Sequence, residues 1–123
     1  MHRPVHFEIH STDPEKDLAF YEKTLGWKAQ KWEGGNMEYW LITTGPDDSP
    51  GINGGLMRSQ DGQPRTVNTC MVENVDASAA KVNEAGGQIV VPKMPIPGMG
   101  WLVYCTDPTG NIFGMMESDE SAA

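Results

Sequence analysis

Apolar and polar residues alternate from Val5 to His10. Val5, Phe7 and Ile9 share one face, and His6, Glu8 and His10 share the other, which predicts a β-strand. Asp13-Pro14 then opens a helix, because Asp caps free backbone N–H groups and Pro suits the first helical position. Leu18, Tyr21 and Leu25 recur at helical spacing, and Gly26 ends the run. Strands are predicted over Trp27–Trp32, Met37–Thr43 and Gly55–Ser59, separated by a turn at 33–36 and a Gly/Pro/Asp loop at 44–54.

The same order returns after a link at 60–65. Thr66–Val72 reads as a strand, Asn74 or Asp76 begins a helix with Ala79 and Val82 inward, and Gly86-Gly87 closes it. Gln88–Val91 is a strand. The following Pro92-Lys-Met-Pro-Ile-Pro-Gly98 cannot pair as a central strand, because its prolines lack ladder donors. Trp101–Thr106 and Asn111–Met116 are strands flanking an Asp107-Pro-Thr-Gly110 turn that suits type I. The chain is thus read as one βαβββ unit written twice, over about 4–60 and 66–117, with an acidic tail at 118–123 expected to fray. The expected class is α+β: two modules forming a curved, mostly antiparallel mixed sheet. Two helices cannot cover both faces of eight strands, so they should coat the outside and leave a cavity inside.

Composition narrows the partners. At 123 residues, the net charge of −8 argues against nucleic acid and anionic membranes as partners, since both require a basic face. Cys70 and Cys105 share no C-x-x-C spacing and fall within predicted strands, as structural thiols do. The start Met-His-Arg-Pro-Val-His has no apolar signal core, and no run reaches membrane-spanning length, so a cytoplasmic setting is expected.

Certain residues carry a resemblance. They are His6-Phe-Glu-Ile, Asp13-Pro-Glu-Lys-Asp-Leu-Ala-Phe-Tyr21 and Leu25-Gly-Trp27. In the second half they are Val72-Glu-Asn-Val-Asp76, Glu84-Ala-Gly-Gly87 and Asp107-Pro-Thr-Gly-Asn111. Together they resemble the glyoxalase / bleomycin-resistance / extradiol dioxygenase superfamily, the vicinal oxygen chelate proteins, over residues 5–117. The resemblance implies paired βαβββ modules, a U-shaped sheet and a homodimer. It fixes no activity, because this fold hosts isomerases, dioxygenases, epimerases, thiol transferases and antibiotic binders. Metal-dependent members take ligands from the first and last strand of each module. Carried over by spacing, those positions are His6, Gly55, Val67 and Gly114, with Gly55 uncertain by one residue. A single imidazole cannot hold a divalent metal, which takes about three protein ligands. Glu117 is placed on the opposite strand face. The expectation is therefore no metal and no other cofactor, with a divalent ion as the alternative.

Without a metal, His6 and Glu8 are the candidate catalytic pair: His6 as general base or ligand anchor, Glu8 as its partner or as the seat of a ligand cation. Trp40, Met57, Met71, Trp101, Tyr104 and Met115 are the candidate ligand-binding residues, on the grounds that methionine and tryptophan line adaptable apolar slots. Tyr39 is a further possible donor, its facing and that of Tyr104 left open. The expected function is binding of a small hydrophobic or cationic organic molecule. The alternatives are a lyase or isomerase of the lactoylglutathione-lyase type, or a dioxygenase-type enzyme, using His6 and Glu8. A protein-binding scaffold is the third.

Overall fold

A computed structural model describes residues 1–33 and 38–123. Met37, the expected start of the third strand, and all but Glu33 of the turn expected over 33–36 lie outside the described residues. The elements run β1 Pro4–Ser11, α1 Pro14–Leu25, β2 Lys28–Lys31, β3 Tyr39–Thr43, β4 Gly54–Arg58, β5 Arg65–Met71, α2 Val75–Glu84, β6 Gln88–Ile96, β7 Gly100–Thr106 and β8 Ile112–Ser118. The class is the expected α+β, with βαβββ order in each half and more antiparallel than parallel pairing among the described strands. The chain divides into two compact units, His6–Val67 and Met1–Val5 with Asn68–Ala123, called here the N-terminal and C-terminal units.

In the N-terminal unit the strands lie in the order β2-β3-β4-β1, with β1 parallel to β4 and the other neighbours antiparallel. Helix α1 forms for the reasons its ends announce. The Asp13 carboxylate accepts from the Lys16 N–H, Pro14 occupies the first turn, and Gly26 closes the helix at φ 73°, a left-handed backbone that glycine adopts at least cost. Leu18 and Tyr21 pack with Phe7, Trp27 and Trp40 against buried Ile9, Ile42 and Leu56. Leu25, expected on the same stripe, is instead 58% exposed.

The C-terminal unit repeats the plan as β5-β8-β7-β6. Asn74 caps α2 by accepting from the Ala77 N–H, and Glu117 Oε1 accepts from the Val75 N–H at 2.9 Å. Val75 and Val82 pack with Val72, Val103, Cys105, Met115, Ile89, Trp101 and Phe113. Strand β6 runs through Pro92 and Pro95 to Ile96, five residues beyond the expected end at Val91. It lies at the end of its sheet order and, among the described strands, pairs only with β7, with register shifts between Ile89 and Val91 and between Val91 and Met94. An edge strand with bulges tolerates the missing N–H groups that a central strand cannot. The expected frayed tail is also corrected. The Asp119 N–H bonds the Met99 carbonyl, the Gly98 N–H bonds the Ala122 carbonyl, the Trp101 Nε1–H donates to Asp119, and Ala122 is buried.

Leu56 is fully buried beneath α1, whereas Phe20 on the same helix is 56% exposed. Leu56→Ala should lower the unfolding free energy by about 2–5 kcal/mol, and Phe20→Ala should change it by no more than about 0.5 kcal/mol. Urea unfolding followed by tryptophan fluorescence measures both, and equal losses would refute this placement of the core.

Candidate functional site

The site is built on one sheet face of the N-terminal unit. Period-two alternation sends Phe7 and Ile9 toward α1 and His6, Glu8 and His10 the other way. On β4, Glu8 lies opposite Gly55 and His10 opposite Met57; on β3, Tyr39 lies opposite Met57 and Leu41 opposite Gly55. Tyr39 therefore starts beside Met57, and its ring crosses the strand at Gly55 to reach β1. A Cβ on Gly55 would collide with the Tyr39 ring and hydroxyl. The glycine is the gap through which the phenol passes.

What the phenol reaches is a continuous hydrogen-bonded chain. His6 Nε2 lies 2.9 Å from Tyr39 Oη. Tyr39 Oη donates to Glu8 Oε2 at 3.0 Å. His10 Nε2 lies 2.8 Å from Glu8 Oε1. Glu8 is 4% exposed, so its carboxylate has given up nearly all its water and is matched by donors from both sides. His6, His10 and Tyr39 are half-buried, and Glu8 is the buried member. Burial holds the His6 imidazole below its ordinary pKa, against the smaller opposing pull of the Glu8 charge. His6 is therefore neutral at pH 7.

Among the described residues, the equivalent positions of the C-terminal unit carry no such chain. There Thr69 lies opposite Gly114, as Glu8 lies opposite Gly55. Leu102 lies opposite Met116, as Tyr39 lies opposite Met57. A Cβ on Gly114 would meet Thr69 Oγ1 at 2.9 Å and Leu102 Cδ1 at 3.5 Å. The paired registers resolve the one-residue uncertainty in aligning the last strands and confirm Gly55 as the counterpart of Gly114. Of the four positions His6, Gly55, Val67 and Gly114, only His6 bears a donor side chain. Among the described residues, no group of three His, Cys, Asp or Glu stands together to hold a metal ion.

The remaining expected ligand-binding residues divide by face. Met57 lies on the His6–Glu8–His10 face. Met71 and Tyr104 lie on the Thr69–Gly114 face of their own unit, which settles the facing of Tyr104. Trp40, Trp101 and Met115 point the other way, into the clusters packed with the helices. Strand alternation sets each of these three on the helix-covered face of its own unit, since one residue of register exchanges the two faces. Trp40 and Trp101 are also not counterparts: the pairing of Trp40 with Leu56 matches that of Val103 with Met115. His10 and Tyr39 were the members under-read from sequence. The signal for Tyr39 was a tyrosine two strands away from an acidic residue, with a glycine between.

Known proteins agree with this architecture. The sequence model of the Glyoxalase/Bleomycin resistance protein/Dioxygenase superfamily matches residues 3–115. The chain belongs to that superfamily. Among curated relatives, CFP32 of Mycobacterium bovis and Mycobacterium tuberculosis, provisionally named a glyoxylase, is 29% identical over 112 residues, covering 89% of this chain. The chain spans 42% of the length of that relative. Among solved structures, methylmalonyl-CoA epimerase from Mycobacterium tuberculosis superposes with a TM-score of 0.68 at 16% identity, over 94% of this chain and 87% of the epimerase. The Mn(II)-bound glyoxalase from Novosphingobium aromaticivorans gives 0.65 at 20% identity, over 100% of this chain and 42% of that one. At these identities the likeness is one of fold.

Two outcomes test the site. Gly55→Ala should drive Tyr39 off His6 and Glu8 and cost about 1–3 kcal/mol, with most of that cost gone in a Tyr39→Leu background. Additive losses in urea unfolding would show that the two residues do not interfere. The second concerns pH. His6 titrates lower in the folded than in the unfolded chain, so the unfolded chain binds more protons as pH falls below 6.5. The stability His6 contributes is present above that pH and is lost on acidification toward its folded value. His6→Gln should flatten this part of a stability profile from pH 8 to pH 5; an unchanged slope would assign it elsewhere.

Proposed function

We propose that the protein binds a small hydrophobic or cationic organic molecule at the sheet face that carries His6, Tyr39 and Glu8, without a divalent metal. The observation that carries this reading is the His6–Tyr39–Glu8–His10 chain itself. It places a neutral imidazole and a phenol at an accessible position and backs them with a buried negative charge. A cation is favoured beside such a charge and an anion is disfavoured. Met57 supplies a polarizable apolar neighbour on the same face. Met71 and Tyr104 are proposed for ligand contact on the face of their own unit away from α2. The metal-free reading rests on the donor set: a glycine, a valine and a second glycine stand with His6 at the carried-over positions.

A second reading, proton transfer of the lyase or isomerase kind, is favoured by the same chain. A neutral histidine tied through a phenol to a carboxylate has the form of a general base with its orienting groups. The free thiols of Cys70 and Cys105 fit a cytoplasmic setting, and the family resemblance supports a homodimer. No helix among the described residues is long and apolar enough to cross a membrane.

Thermal-shift and calorimetric titration of a panel of hydrophobic amines should find binders whose affinity drops about tenfold or more in His6→Gln. Native mass spectrometry in equimolar Mn, Ni and Zn should show the metal-free mass, and a glutathione hemithioacetal should not turn over. One equivalent of metal, lost in His6→Ala, would overturn the metal-free reading. A panel without a single binder would overturn the binding one.

A further inference from the structure

The direction of the hydrogen bonds fixes which nitrogen of His6 is offered to a ligand. A phenol has one proton. The Glu8 carboxylate has none to give, so the Tyr39 hydroxyl donates to Glu8 Oε2. With that proton committed, Tyr39 Oη can only accept from His6, and His6 Nε2 must carry the hydrogen across their 2.9 Å contact. The same reasoning puts the hydrogen of His10 on Nε2, donating to Glu8 Oε1. The neutral imidazole of His6 then keeps its lone pair on Nδ1.

That lone pair is available. Nδ1 of His6 makes no hydrogen bond to any described residue. No buried side-chain nitrogen or oxygen among the described residues lacks a partner, so Nδ1 is not fully enclosed by them. The accessible end of the chain is therefore a hydrogen-bond acceptor, with one buried negative charge behind it at Glu8.

We infer that the site selects ligands presenting an N–H or O–H donor to His6 Nδ1, as alcohols, phenols or protonated amines do, and rejects anionic ligands such as carboxylates and CoA thioesters. This rests on the binding reading above and sharpens it to a ligand class. Tyr39 acts as a positioning residue toward His6: its hydroxyl, donating to Glu8, holds the tautomer. A carboxylate at Nδ1 would bring an acceptor to an acceptor and a negative charge toward Glu8. Forcing the proton onto Nδ1 would leave Nε2 and the Tyr39 hydroxyl both as acceptors. Protonating His6 instead would charge an imidazole whose burial favours the neutral form.

Two measurements test the inference. Two-bond ¹H–¹⁵N correlation spectra at pH 8 should show His6 and His10 as Nε2–H tautomers, with His6 becoming a mixture in Tyr39→Phe while His10 is unchanged. An Nδ1–H tautomer at His6 in the wild type would overturn the inference whatever binds. The second is calorimetric titration with matched compounds on one hydrocarbon frame: a primary amine, a phenol, its methyl ether and a carboxylate. The amine and the phenol should bind at least about tenfold tighter than the ether and the carboxylate. Tyr39→Phe should narrow that ratio without abolishing binding. Preference for the carboxylate, with binding intact, would sink the ligand class alone. No binding by any member would sink the binding reading and the class with it, while the tautomer spectra would still report on the chain.

Discussion

A carboxylate taken out of water has to be met by donors, and Glu8 imposes that requirement on the N-terminal unit. Its strand is buried on both faces at this point: Glu8 is 4% exposed and its neighbour Ile9 is 9% exposed. Leaving such a group unmatched costs several kcal/mol, enough to threaten a small domain. The match comes from His10 on the same strand, two residues on, and from Tyr39 on β3, with β4 intervening. The tyrosine can span that distance only because β4 presents no side chain at Gly55. Glycine at this position is thus tied to the carboxylate through the phenol. His6, held by the far side of the same hydroxyl, is positioned by the solution to a problem of burial.

The C-terminal unit shows what the same backbone does when that requirement is absent. Thr69 replaces the carboxylate opposite Gly114, and Leu102 replaces the tyrosine. A threonine can be satisfied locally and a leucine asks for nothing, so no chain forms at the equivalent positions. The repeat therefore fixes where a site can stand and leaves its chemistry to a few side chains. Glycine persists in both last strands, yet its neighbours differ: an aromatic ring whose hydroxyl meets His6 and Glu8 in one unit, a hydroxyl and an aliphatic group in the other. The repeat carries the architecture of the superfamily. Chemistry follows from where the repeat is broken.

Much of the fold was legible because its signals are local. Asp13-Pro14, Asn74, Gly26 and the alternation of β1 each act within a turn or a strand, and each element formed where those residues place it. The site was legible in part: His6 and Glu8 share a face by parity alone. What escaped was relative register. Whether Trp40, Trp101 and Met115 face the helices or the opposite side depends on how their strands pair, and one residue reverses the answer. Trp40 and Trp101 are not counterparts, because the pairing sets them two positions apart. The continuation of β6 through its prolines was likewise a question of position in the sheet, since only an edge strand can spare the N–H groups. The tail is ordered by the Met99 carbonyl, the Trp101 indole and the Gly98 N–H, contacts that acidic composition does not foretell.

A glycine in the last strand of a module is easily read as a lost ligand, a position from which a donor has been deleted. At Gly55 the physical reading is different, because the space beside it is filled. The Tyr39 ring occupies the volume into which any side chain at position 55 would project. Restoring a carboxylate or imidazole there would not by itself restore a chelating site. It would first expel the phenol, strip Glu8 of one donor and release His6 from its partner. The change is then coupled across four residues on three strands, and single substitutions in either direction disturb the hydrogen bonds of a buried charge. That coupling gives the hydrogen-bonded arrangement a stability of its own, independent of any ligand it serves.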